Sequence, residues 1–189
     1  SRFIFKEMPI DILEVEWDKG KRQTLFLSVG IDSEVIKLTT QRTEQRFFDY
    51  LGGILKAIAK GKASYDFLIS LNNQKPSLFE NSVNFTLGKI PYYGFGVHSM
   101  FNQINPQDNQ VYGVGVVNPL NPLFNKALRV WSLVLLSLGL KKAPLTTIKG
   151  KDIKIQSKTP FPIQAGGEFL GYGKWIKVRV LRQQKVLII

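Results

Sequence analysis

Few side chains in this sequence could do chemistry from a loop. The acidic candidates are Asp32, Asp108, Asp152 and Glu168. Asp152 follows Gly150-Lys151 in a turn, and that suffices to explain a polar residue there. Glu168 ends the stretch Thr159-Pro160-Phe161-Pro162-Ile163-Gln164-Ala165-Gly166-Gly167-Glu168, between strand-like runs at 152–157 and 175–180. Prolines fix φ and remove backbone donors, and Gly-Gly supports φ > 0, so the stretch predicts a sharp turn between strands. Its carboxylate either faces water or is presented to a reacting group. Both readings are open on these residues alone.

Other site types are excluded. The chain has no cysteine, hence no disulfide framework and no thiolate metal site. Its single histidine, His98, rules out a multi-histidine zinc centre and reads as structural. There is no Gly-x-x-x-x-Gly-Lys-Ser/Thr loop and no Rossmann glycine fingerprint, and Gly94-Phe95-Gly96 is too short to hold a phosphate by itself. Trp17, Trp131 and Trp175 lie in apolar strands or a helix, which suits a core better than a base-stacking platform, so nucleic acid is not the expected partner.

The net charge of +12 comes from lysines and arginines scattered along the chain, never in a run of five or six. Such an excess attracts an anionic partner: a phosphorylated ligand, an anionic membrane surface or nucleic acid. The longest apolar run, Val130 to Leu138, is far too short to span a bilayer, and Arg2, Lys6 and Glu7 interrupt any signal peptide.

The elements that must position these residues are mostly strands. Phe3 to Phe5, Ile10 to Trp17 and Thr24 to Val29 read as strands, the last two joined by a polar turn at Asp18-Lys19-Gly20-Lys21. Tyr65 to Leu71, Asn81 to Leu87 and Val111 to Val117 follow, then Thr146 to Lys149, Asp152 to Ser157, Trp175 to Val180 and Lys185 to Ile189. Helical spacing is confined to Glu44–Lys60 and about Leu123–Leu138, the second ended by Gly139. Two helices among many short strands predict a mainly β, β-rich α+β domain built as a two-layer β-sandwich.

Taken in order, several segments resemble the C-terminal half of the diacylglycerol kinase and sphingosine kinase superfamily, the lipid kinases related to NAD kinase. Ile10-Asp11 and its strand look like the start of that family's β-rich domain. Ser28-Val29-Gly30-Ile31-Asp32-Ser33-Glu34-Val35 is similar to its glycine-plus-Asp segment. Ile90-Pro91-Tyr92-Tyr93-Gly94-Phe95-Gly96 looks like its Asn-x-Pro-Tyr-Tyr-Gly-Gly-Gly loop. Asn105 to Val116 resembles its Asp-Asp-Gly segment, and Gln164-Ala165-Gly166-Gly167-Glu168 its Gln-x-Asp-Gly-Glu turn.

The resemblance covers nearly all 189 residues and implies specific roles. Residues 1–189 would be the substrate-side domain alone, because the Gly-Gly-Asp-Gly-Thr nucleotide loop is absent and the chain starts on a strand without Met. The parent would use ATP and Mg²⁺ to phosphorylate a lipid hydroxyl, and the isolated domain would be inactive. Glu168 would be catalytic, accepting the hydroxyl proton or helping to hold Mg²⁺. Asp32, Tyr92 and Tyr93 would bind substrate, and Asp108 would be one acid of a structural magnesium site. Partners would be the lipid, an anionic membrane surface, the parent's nucleotide domain and, compatibly with the sequence, a second copy in a homodimer. The setting would be cytoplasmic, peripheral to the membrane.

Three departures bear on this. Gly166 stands where the turn's first Asp is usual, Gln107-Asp108-Asn109 keeps only one of two acids, and Lys89 or Gly88 stands where the Pro-Tyr-Tyr loop has Asn. The alternative is therefore a non-catalytic lipid- or membrane-binding regulatory module of a diverged kinase homologue.

Overall fold

The computed structural model describes residues 6–39, 52, 64–90, 92–93, 97–98, 104–116 and 145–188. The sequence-predicted strand at 3–5 and the helices at 44–60 and 123–138 lie outside these residues, apart from Gly52, which is helical. In chain order the elements are β1 (Lys6–Trp17), β2 (Gly20–Thr24), β3 (Phe26–Gly30), α1 (Ile31–Thr39), β4 (Tyr65–Leu71), β5 (Ser77–Ser82) and β6 (Asn84–Gly88). Then come β7 (Tyr92–Tyr93), β8 (Val97–His98), β9 (Val111–Val116), β10 (Leu145–Gly150), β11 (Asp152–Ala165) and β12 (Glu168–Ile188).

One large antiparallel sheet runs β10-β9-β6-β3-β11-β12-β1-β2, and it forks at β11. Residues 153–156 of β11 pair with β4, which carries β5, whereas 163–165 pair with β3. The two branches diverge from one strand and face each other across a core of aromatic and aliphatic side chains. Phe67 of β4 meets Phe85 of β6 and Phe161 of β11 edge-on, at centroid separations of 5.7 and 5.2 Å, and all three rings are fully buried. Such edge-to-face pairs add about 0.5–1.5 kcal/mol each beyond the area they bury. The expected β-rich, layered architecture is present, with α1 the one complete helix among the described residues.

Several strand boundaries differ from the sequence reading, each for a tertiary reason. The run 24–29 is two strands. β2 ends at Thr24, which pairs with β1, and β3 begins at Phe26, which pairs with β6. The run 81–87 breaks at Val83, whose carbonyl accepts from Ile31 N at 3.0 Å instead of continuing a ladder. Pro160 and Pro162 do not make a turn. They lie within β11, between its pairing with β4 and its pairing with β3: Pro160 falls in the register irregularity between Gln156 and Phe161, and Pro162 pairs with Tyr172 of β12 alone. The turn itself is only Gly166-Gly167, with φ of +61° and +84°, the positive-φ pair that a two-residue hairpin requires.

The polar run 182–184 read as a break between two strands, yet β12 continues through it because residues 6–12 of β1 supply the ladder. A bulge at Leu181 shifts the register there, and beyond it the β1–β12 pair forms a ribbon whose residues 181–185 are exposed.

Candidate functional site

Two polar clusters are built into this sheet. The first surrounds the start of α1. β3 enters the helix through Gly30, whose φ is +102° and where a Cβ would lie 2.4 Å from Val83 O, so glycine alone fits this strand-to-helix corner. The first helical N–H groups have no partners inside the helix. Ile31 N finds Val83 O, and Asp32 N donates to Asn84 Oδ1 at 3.2 Å. Asn84 is held in turn by donating to Thr86 Oγ1 at 3.0 Å.

Asp32, 4% exposed, sits in the helix's first turn, where the helix dipole favours a negative charge. Its Oδ2 accepts a short hydrogen bond from Ser28 Oγ and one of 3.1 Å from Gln164 Nε2. Gln164 Nε2 also reaches Ser28 Oγ at 2.8 Å, while Gln164 Oε1 accepts from Gly167 N at 3.1 Å. The amide can sit only this way round, since the reverse would set its oxygen against the Asp32 carboxylate. Gln164, 1% exposed, is thus the link between Asp32 and the glycine turn.

Glu168 emerges one residue beyond that turn. Its side chain is 65% exposed and pairs with Arg22 Nη1 at 2.8 Å. A pair this open to water is worth about 0–1 kcal/mol, so Arg22 can release the carboxylate to another partner at little cost. At Gly166 a Cβ would meet only Thr24 Oγ1, at 3.5 Å, so there is room for a side chain, but the φ of +61° favours glycine there.

Beside this cluster, Tyr172 OH donates to Glu34 Oε1 at 2.5 Å and accepts from Lys37 Nζ at 3.1 Å. The Lys37 ammonium lies 4.9 and 5.6 Å from the ring centroids of Tyr172 and Phe169. Burial, reinforced by Glu34, raises the Tyr65 hydroxyl well above its ordinary value and keeps it neutral.

The second cluster holds Asp108. Lys89, fully buried, directs its ammonium at Asp108 Oδ1 (2.8 Å), Asp11 Oδ2 (2.9 Å) and the carbonyls of Asn105 (2.8 Å) and Gln110 (2.9 Å). Asp11 Oδ2 also accepts from Asn109 N at 2.8 Å, and Asp11 N donates to Pro106 O at 2.8 Å. Asp108 Oδ2 takes Lys149 Nζ at 2.9 Å and a short bond from Tyr112 OH. Desolvation raises the Asp108 carboxyl, but the hydrogen bonds from Lys89, Tyr112 and Lys149 outweigh it and hold the group well below the usual carboxylate range.

The structure therefore brings Asp32 and Glu168 to one end of the sheet through Gln164, and sets Asp108 in a separate lysine-centred cluster. Tyr92 and Tyr93 form β7, whose backbone pairs with β8. The sequence reading assigned no role to Gln164, Lys89 or Asp11. The available signals were Gln164 inside the turn motif and Lys89 at a position where asparagine is usual.

No family model matches the chain, and neither does any curated protein. Solved structures do. A Bacillus anthracis str. Sterne protein provisionally assigned as a diacylglycerol kinase superposes with a TM-score of 0.60 at 17% identity, over 94% of this chain and 55% of its own. A diacylglycerol kinase from the same strain gives 0.58 at 13%, over 94% and 52%. A third, again provisionally assigned as a diacylglycerol kinase, gives 0.60 at 16%, over 94% and 55%. This chain has the fold of part of these diacylglycerol kinase-like proteins and spans about half their length.

Proposed function

We propose that the chain is the lipid-substrate domain of an ATP-dependent lipid kinase, acting on a hydroxyl of a diacylglycerol-like or long-chain-base lipid within a longer protein. The observation that carries this reading is Gln164, which ties the buried Asp32 to the turn that projects Glu168, in a fold shared with diacylglycerol kinase-like proteins. Glu168 accepts the proton of the lipid hydroxyl as its oxygen attacks the γ-phosphorus. The bond from that phosphorus to the bridging oxygen breaks, and ADP leaves with the electron pair. ATP, bound with Mg²⁺ by the longer protein's nucleotide domain, would supply the phosphoryl group. Asp32 orders Ser28 and Gln164 behind the turn, and the resemblance adds a headgroup contact for Asp32 and substrate contacts for Tyr92 and Tyr93. The basic surface holds the domain against anionic lipid, at the membrane periphery.

In the protein that joins this domain to its nucleotide domain, Glu168→Gln lowers kcat for lipid phosphorylation by roughly 10²–10⁴-fold, with a smaller change in lipid KM. An unchanged kcat would remove Glu168 from the chemistry. The second reading, a non-catalytic lipid-binding module, draws on Gly166 in place of an acid and on the Arg22–Glu168 pair. It predicts that Gly166→Asp raises a negligible rate, whereas a competent enzyme changes little on that substitution.

A further inference from the structure

We infer that the Lys89 ammonium is the resident cation of the Asp11–Asp108 cluster, and that this chain clamps residues 104–110 to β1 without a divalent metal. The resemblance implies a structural magnesium at Asp108, and the donor set here does not fit one. Mg²⁺ demands near-octahedral oxygen ligation at short distance. The oxygens that would supply it, Asp11 Oδ2, Asp108 Oδ1 and the carbonyls of Asn105 and Gln110, already converge on Lys89 Nζ at 2.8–2.9 Å. A metal at bonding distance from that set would have to displace a buried ammonium or lie against it, with like charges in contact. Asp108 Oδ2 is occupied as well, by Lys149 and Tyr112. Asp11 Oδ1 alone in the cluster is buried without a hydrogen-bond partner, and one oxygen makes no magnesium site. No group of three or more His, Cys, Asp or Glu side chains suited to a metal occurs among the described residues.

Lysine serves the same four oxygens with three N–H donors and one charge: it hydrogen-bonds Asp108 Oδ1 and the Asn105 and Gln110 carbonyls and forms an ion pair with Asp11 Oδ2. It joins three segments: Lys89 follows β6, Asp11 lies in the part of β1 that forms the two-stranded ribbon with β12, and 104–110 leads into β9. Gln183 Nε2, on the ribbon's other strand, donates to Gln107 O at 3.3 Å, so the same segment braces both strands. Losing the ammonium would free the ribbon and the segment together. In a kinase, any magnesium requirement would then belong to the nucleotide alone.

The test is thermal unfolding of this 189-residue chain in EDTA and in excess MgCl₂, with Mn²⁺ binding followed by electron paramagnetic resonance. The expected result is one melting temperature in both buffers and no bound Mn²⁺. Lys89→Met is expected to lower that temperature by about 10 °C in EDTA, because it strands buried carboxylates. Should that variant not fold, Asp108→Asn carries the test. It can keep an amide oxygen on Lys89 but removes the charge and sets an NH2 donor against Lys149 and Tyr112, so it is expected to melt lower than the parent by the same amount in both buffers. A magnesium-dependent rise that persists in Asp108→Asn comes from elsewhere and stands with the inference. Bound Mn²⁺, or a magnesium-dependent rise, that Asp108→Asn abolishes would overturn it. So would an Asp108→Asn variant as stable as the parent.

Discussion

Gln164 is the residue on which the candidate site turns, because one neutral amide serves a carboxylate on one side and a backbone N–H on the other. Replacing it by leucine removes both bonds while keeping most of its volume, leaving Gly167 N and Asp32 each short of a partner. We expect Gln164→Leu to cost about 1–3 kcal/mol in urea unfolding, the usual penalty for stranding buried polar groups. Asp108 makes a pH prediction. Its carboxyl is held below the ordinary value in the folded chain, so as pH falls toward the unfolded-state value near 4 the unfolded chain takes up protons first. The stability it contributes is full above that pH and is lost as pH drops further. Urea midpoints of the parent and Asp108→Asn should differ by a constant amount from pH 7 to 5, and the difference should narrow progressively as pH falls below about 4 toward the lowered folded value. Of these residues, Glu168, Asp32 and Asp108 were singled out in the sequence as loop acids, but Asp32 lies in the first turn of α1 and Glu168 opens β12, and only Asp108 sits in a loop. Lys89 and Asp11 were not, since nothing in the local pattern around either says that residues so far apart in the chain share a charge.

At the scale of elements, the fork in β11 decides the architecture. Its first half alternates buried and half-exposed residues, whereas Phe161 to Ala165 are all buried, because that end lies between β3 and β12 and α1 packs on all three strands. Phe67 fills the cleft between the branches, and Phe67→Ala is expected to cost about 3–5 kcal/mol in chemical denaturation. Gly30→Ala should also destabilise severely, since its Cβ would strike the Val83 carbonyl, a backbone atom with no rotamer to escape by. Circular dichroism melting would measure the loss, and a melting temperature equal to the parent's would contradict the corner geometry. Strand identity was readable wherever apolar residues alternate, as in Tyr65 to Leu71. Strand ends were not, because Thr24, Val83 and the 182–184 run are decided by which distant strand lies beside them. The turn at Gly166-Gly167 was legible from its glycines, while the prolines before it belong to a strand whose neighbour changes.

Over the whole molecule, the excess of positive charge is the feature that the proposed membrane contact would use. Exposed cations such as Lys158, Lys174, Arg182 and Lys185 lie along β11 and β12, and a near-surface Lys or Arg is worth about 1 kcal/mol against an anionic leaflet. Sedimentation with vesicles containing phosphatidylserine should therefore capture the chain at low salt and release it as ionic strength rises, with little capture by neutral phosphatidylcholine. Equal binding to both vesicle types would put the charge to some other use. The breadth of the fold likeness also matters here: the chain spans about half the length of its structural neighbours, and the proposed function assigns ATP to a separate nucleotide domain. The most direct measurement is transfer of radiolabelled γ-phosphate from ATP to lipid in mixed micelles, by the longer protein and by this chain alone. The account predicts label in an organic-extractable phospholipid with the longer protein and none with the 189-residue chain. No lipid labelling by a longer protein that still binds vesicles, or turnover by this chain alone, would contradict it.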